Sequence, residues 1–422
     1  MGDTARKRRS KPPRPPVEIE LNESHVGRRL IAAVVLLVLG ASMLVYAFMQ
    51  LMEPGDEWIT VEASSSEASC GSEFSFLYRP GSGELSYSAD RKAVTNQYSQ
   101  LCREAYELFH PQEAFEGVNN IYAINRHPNE VLEVDEGLYQ AFSAVDRSGS
   151  RAIYLGPVYV RYDDLFFCED DSQLVDFDPR LSEEVAEEYQ DILRFANDPQ
   201  SIRLELLGEG KIRLYVSEEY LTCARQEGIE DFIDFAWMRN AFIADFIAEA
   251  LTAEGYTHGV LSSYDGFIRN LDSSGRAYSM QIYDRDQGAG YTAAVLEYQG
   301  PKSVVSLWDF PVNELDAYRF YVLRSGEIRT PYLDPADALC KSAVHDLVGY
   351  AQDKSCGELL LTLMPAYIAE EIQTEELVRL AGEGVQSIFC QDGVVRYTDP
   401  EVKFSQFYNW RGAPYTASQL EP

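Results

Sequence analysis

The stretch IDFAWMRNAFIADFIAEALTAEGYTHGVLSSYDGFIRN, residues 233–270, decides the fold. Phe242, Ile243, Phe246, Ile247 and Ala250 recur at helical spacing, which predicts an amphipathic helix with one buried stripe. Gly255 stands where a helix C-terminus needs a left-handed residue. Gly259-Val-Leu then opens a strand that ends near Asp265-Gly266. A helix feeding a strand beside a polar turn is a common frame for a small-molecule pocket. On this reading Asp245 lies on the exposed side of the helix and Asp265 serves the turn.

The flanking sequence continues in mixed style. Upstream, residues 96–109 read as a helix, 152–160 (AIYLGPVYV) as a strand interrupted by Gly-Pro, and 181–195 as an acidic helix. Residues 202–216 alternate as a hairpin around Gly-Glu-Gly. Downstream, 277–283 and 293–298 read as strands joined by an Asp/Gly-rich turn, with 302–308 continuing the sheet. Residues 357–365 read as an apolar helix, and 385–389 with 394–397 as a closing hairpin. Interleaved helices and hairpins predict an α+β or α/β domain.

The chain has 422 residues, enough for two average domains or one large one. Its 45% hydrophobic content supports a packed core, and 27 Tyr argue against disorder over most of the length. Residues 30–52 hold no charge and are long enough to span a bilayer. Eight basic residues precede them against four acids, so the positive-inside rule puts that end in the cytoplasm. A cleaved signal peptide is the alternative, but no small-x-small site follows Met52. The expected order is a basic disordered tail (1–29), a transmembrane helix (30–52) and a Ser- and acid-rich linker (53–75). An outward-facing domain (76–410) and a loose tail (411–422) complete it.

Beyond the apolar stretch stand 28 basic and 64 acidic residues, a net charge of −36. So acidic a surface repels nucleic acid and anionic headgroups, which excludes nucleic-acid binding. It leaves solubility, or a protein partner outside the membrane, as its use. All seven Cys lie beyond the apolar stretch, with no CxxC and no Cys/His metal spacing. Outside a cell they allow up to three disulfides with one thiol left over, in a connectivity the sequence does not give.

Several segments, taken in order, carry a resemblance. INRHPNEVLEVDEGLYQAF from Ile124, GSRAIYLGPVYVRYDDLF with Gly156 and Pro157, the 233–270 stretch, PYLDP at 331–335, SCGELLLTLM from Ser355 and GVQSIFCQDGVVRYT from Gly384 form the series. Together they resemble the ApbE family, the FAD:protein FMN transferases, over residues 76–397. The resemblance implies an ApbE-like mixed sheet-and-helix domain outside the cytoplasmic membrane. It implies FAD and Mg as cofactors, with FMN moved onto a Thr or Ser hydroxyl of a partner protein. In such chemistry the metal neutralises the pyrophosphate while positioned groups activate the hydroxyl.

Carried over position by position, the resemblance places Asn125, Gly156, Pro157, Asp234, Asp245 and Asp334 at the cofactor. It places Glu358 and Thr362, four apart on one helix face, at the metal. The family's motif has a His where Pro331 stands, a Lys where Asn240 stands and a Gly where Trp237 stands. Phe267 replaces its Asp, and Leu315-Asp316 its Ser-Gly. Proline neither accepts nor donates a proton, and an indole fills the space a nucleotide needs. No catalytic residue is therefore assigned, and weakened or absent flavin and metal binding is expected. The acceptor run Asp-Gly-x-Ser/Thr-Gly-Ala-Ser/Thr is absent, as are Ser-His-Asp and Walker patterns. The reading is an outward-facing, membrane-anchored binding domain with an eroded transfer site; an active Mg-dependent transferase is the alternative.

Overall fold

The computed structural model describes residues 57–64, 68–83, 85–286 and 288–421. The tail and apolar stretch at 1–52 lie outside the described residues. Among the described residues no helix is long and apolar enough to cross a membrane.

A nine-stranded sheet organises the domain. Its strands lie in the order Ile59–Val61, Phe74–Tyr78, Gly259–Ser263, Phe267–Asn270, Lys302–Trp308, Asp346–Ala351, Gln386–Gln391, Val394–Tyr397 and Thr416–Gln419. All neighbours are antiparallel except the last pair, which is parallel. Period-2 patterning sets the faces: Phe74, Phe76 and Tyr78 are buried while Ser75 and Leu77 are less so. Asp346–Ala351 is buried at every residue because both faces of the sheet are covered.

Three helices cover one face: Tyr87–Phe109, Arg239–Ala253 and Cys356–Tyr367. A second sheet of Ala277–Asp286, Ala289–Gln299 and Lys403–Phe407 covers the other. There Ile282 and Leu296 pack with Val304, Val348 and Ile388. A small sheet of Val131–Glu133, Ile202–Gly208 and Lys211–Val216 contains the expected hairpin. Phe76, Phe109, Phe142, Phe235 and Phe267 are all under 2% exposed, and each such burial stabilises by roughly 2 kcal/mol.

The 233–270 stretch folds as helix, turn and strand. Gly255 adopts φ +87°, and the Tyr256 N–H donates to the Leu251 carbonyl at 2.9 Å, closing the helix. The helix differs from expectation in its burial. Asn240, Ala244, Asp245 and Ala248 are buried along with Phe242, Ile243 and Ile247, while Phe246 and Ala250 of the expected stripe are half-buried at a cleft. Neighbouring helices lie against it, and Ala241, Ala244 and Ala248 let them approach, so Asp245 sits inside rather than on an exposed face.

Three other expectations are corrected. Residues 152–160 form no strand: a 3-10 turn, Ala152–Leu155, runs into the Gly156–Asp163 helix. Five consecutive buried residues, 152–156, break the alternation a half-buried strand needs, and Pro157 suits a first helical turn. The segment expected as a linker contributes Ile59–Val61 and the start of Phe74–Tyr78 to the main sheet. The segment expected as a tail adds Thr416–Gln419 to the opposite edge. Tyr415 anchors that tail, its hydroxyl bonded to Asp284 at 2.5 Å and to Tyr291 at 2.7 Å.

Candidate functional site

Three of the residues expected at the cofactor, Asn125, Gly156 and Asp234, meet around residues 231–236, where they hold or abut backbone. The Asn125 amide donates to the Ile233 carbonyl at 2.9 Å and accepts the Ile233 N–H at 3.0 Å. Gly156 passes so close that a Cβ there would stand 2.3 Å from the Asp231 carbonyl oxygen. Pro157 follows in the first turn of its helix. Asp234 donates its N–H to Ile153 at 2.8 Å, and its carboxylate accepts the Ala236 N–H at 2.8 Å. Burial pushes the Asp234 carboxyl up to about 6. These contacts fix the chain just before Trp237, Arg239 and Asn240.

A second group joins two helices. Asp245 accepts the N–H groups of Cys356 and Gly357, both at 2.8 Å, and pairs with Arg269. A buried carboxylate thereby satisfies the start of the Cys356–Tyr367 helix, where unpaired N–H groups and the helix dipole favour a negative charge. Glu358 belongs to the same helix end: it accepts the Ser355 N–H at 3.2 Å, completing a capping box, and binds Arg147 at 2.7 Å. Burial opposes its charge, but Arg147 and that N–H hold the Glu358 carboxyl below its ordinary value. The Thr362 hydroxyl donates to the Glu358 carbonyl at 2.7 Å. Asp245 and Glu358 line a cleft of about 540 Å³ with Asp135, Arg147, Phe246 and Glu249.

Asp334 stands apart from both groups. It starts a turn by accepting the Ala336 N–H at 2.8 Å, and Lys341 binds it at 2.7 Å. Pro331 precedes Tyr332, whose ring packs edge-on against Trp237 at 4.8 Å and against Tyr367 at 5.2 Å. Asp316, in the expected Ser-Gly position, accepts the Trp308 indole N–H at 2.7 Å and the Asn313 N–H at 3.1 Å. His345 pairs with Asp309 at 3.0 Å, immediately before its strand.

A polar nest that the sequence did not reveal lies at the start of the Arg239–Ala253 helix. Glu73 accepts Arg239 at 3.1 Å and Asn240 at 3.0 Å, and Asn240 also donates to Asp265 at 3.1 Å. The buried Arg319 guanidinium stands 3.5 Å from Asp265. Within this nest Arg239 Nε, Asn240 Oδ1, Asp265 Oδ1 and both Arg319 Nη atoms are buried without a hydrogen bond. Buried donors and acceptors of this kind are completed by a water or another polar group, and single ones occur elsewhere in this core, at Tyr98, Tyr159 and Tyr367 among others. Glu73 fell in the segment read as linker, Asp265 read as turn chemistry, and Arg239 and Arg319 carried no motif. Only the pairing of an Arg with an Asn at a helix start could have drawn attention there.

At the positions that the resemblance ties to Mg, the side chains present already have partners within the protein. The Thr362 hydroxyl donates to the Glu358 carbonyl, one Glu358 oxygen accepts the Ser355 N–H, and the other binds Arg147 of the Glu136–Ser148 helix. Among the described residues no group of three or more His, Cys, Asp or Glu could hold a metal. The Trp237 indole, which stands where the resemblance has a small Gly, packs against the ring of Tyr332.

Comparison with known proteins gives a fold. No family model matches the sequence, and no curated protein matches it significantly. Among solved structures the chain is similar to the ApbE protein of Thermotoga maritima at 12% identity. The TM-score is 0.53 over 79% of this chain and 94% of that one. The flavin transferase ApbE of Vibrio cholerae gives 13% identity and a TM-score of 0.51, over 82% and 96% of the two chains. The flavinyl transferase ApbE of Pseudomonas stutzeri gives 13% and 0.50, over 81% and 93%. About four fifths of the chain has the fold of the ApbE flavin transferases.

Proposed function

We propose that this chain is a membrane-anchored, outward-facing domain of ApbE-like fold that binds a ligand or a partner protein and does not move FMN. One observation carries the reading. The positions that the resemblance ties to transfer are occupied by internal contacts, while the neighbouring nest of Arg239, Asn240, Asp265 and Arg319 holds buried atoms without partners. The ligand this favours is small and polar. It offers acceptors to Arg239 Nε and Arg319, and a donor to Asp265 Oδ1 and Asn240 Oδ1. The anchor and its orientation rest on the uncharged stretch at 30–52 and the basic residues before it.

The test mixes the segment from Glu53 onward with FAD and Mg and follows flavin fluorescence and melting temperature. The reading expects a flat response, unchanged by E358A. Saturable, Mg-dependent stabilisation that E358A abolishes would overturn it in favour of an active FAD:protein FMN transferase.

A further inference from the structure

Cys70 opens the turn Cys70–Ser72 at the entry to the domain, and Cys102 sits within the Tyr87–Phe109 helix. They are 1% and 0% exposed. The Cys70 Sγ lies 3.2 Å from the Cys102 carbonyl oxygen, and the two thiols are within hydrogen-bonding reach of each other. A thiol packed against the other residue's backbone brings the two side chains into the same buried site, the first requirement for a disulfide. Cys356 and Cys168 are placed differently. Cys356 directs its thiol to the Ile268 carbonyl at 3.2 Å, and Cys168 to that of Asp164 at 3.7 Å.

We propose that Cys70 and Cys102 form a structural disulfide that fastens the first strands of the domain to its first long helix. The two thiols give up two protons and two electrons, and a disulfide-bearing oxidant outside the membrane accepts them and leaves as a dithiol. The supply of that oxidant rests on the outward-facing reading above. Once the domain has folded, the Cys102 thiol alongside and burial push the Cys70 thiol well up, so the bond forms before the site closes.

The bond reaches the polar nest through two contacts. The Glu73 N–H donates to the Cys70 carbonyl at 2.9 Å, and the Glu73 carboxylate holds Arg239 and Asn240. The closed ring runs from 70 to 102 and contains the Phe74–Tyr78 strand, so it removes freedom from the early part of the domain. It thereby fixes one wall of the nest.

The test refolds the full chain from the reduced state with oxidised glutathione, digests it without reductant and maps the peptides by mass spectrometry. One linked pair carrying Cys70 and Cys102 is expected. C70S, C102S and the double variant should each lower the melting temperature by the same amount, about 5 °C, with reduced wild type matching them. Free thiols at both positions after oxidation, or either one joined to another cysteine, would overturn the disulfide, and this readout needs no variant to fold. Alkylation in intact cells before lysis separates the second assumption. A bond that forms in vitro while the cell keeps both thiols reduced overturns the outward-facing reading instead.

Discussion

The carboxylate of Asp245 accepts the backbone N–H of Cys356 at 2.8 Å, joining two helices across 111 residues of sequence. With Gly357 and Arg269 it closes a largely buried network at the edge of the cleft. D245A strands the Arg269 charge and two helix N–H groups. The expected loss is about 3–5 kcal/mol, read as a lower urea midpoint. A midpoint equal to wild type would remove Asp245 from the frame and return it to the list of ligand contacts.

The paired hydrogen bonds between Asn125 and Ile233 make a second prediction. N125A leaves a buried carbonyl and a buried N–H without partners, each worth about 1–3 kcal/mol. Chemical denaturation should show that loss with an unchanged slope. A loss of ligand binding at undiminished stability would point to a contact role instead.

Gly156 is held by space rather than by φ. A methyl there meets the Asp231 carbonyl at 2.3 Å, so the 231–234 backbone has to move. G156A is expected to destabilise by about 1–3 kcal/mol and to disturb the Trp237 environment, visible as a change in tryptophan fluorescence. Wild-type stability and emission would show that the gap closes without shifting that segment.

Asp346 supplies the pH dependence. It is 1% exposed, and burial pushes its carboxyl from 3.8 up to about 7 despite bonds from the Tyr283 N–H and the Ser306 hydroxyl. The folded form therefore holds a proton that the unfolded form releases between about pH 4 and pH 7. Stability from this group is complete below that window and is lost as pH rises through it. D346N should gain on wild type from pH 4 to 7 and run parallel to it above. A constant difference across the window would show that Asp346 titrates normally.

The frame was legible in 233–270 because apolar spacing, a left-handed Gly and a following strand all agreed. Segment order extended that reading to an ApbE-like domain. Burial was less legible. Asp245 looked exposed because one sequence shows a helix's own stripe and not the helices packed on its other side. Residues 152–160 looked extended because a continuous apolar run fits strand and buried helix alike. The nest escaped because Glu73, Arg239, Asp265 and Arg319 come from four distant segments, and their meeting is a property of the sheet and the chain that crosses its end.

The most direct test is a crystal structure of the domain grown with FAD and Mg in excess. The account predicts no flavin against Trp237, and an ordered polar molecule bonded to Arg239 Nε, Arg319 and Asp265 Oδ1. FAD seated beside Trp237 with Mg on Glu358 and Thr362 would contradict it.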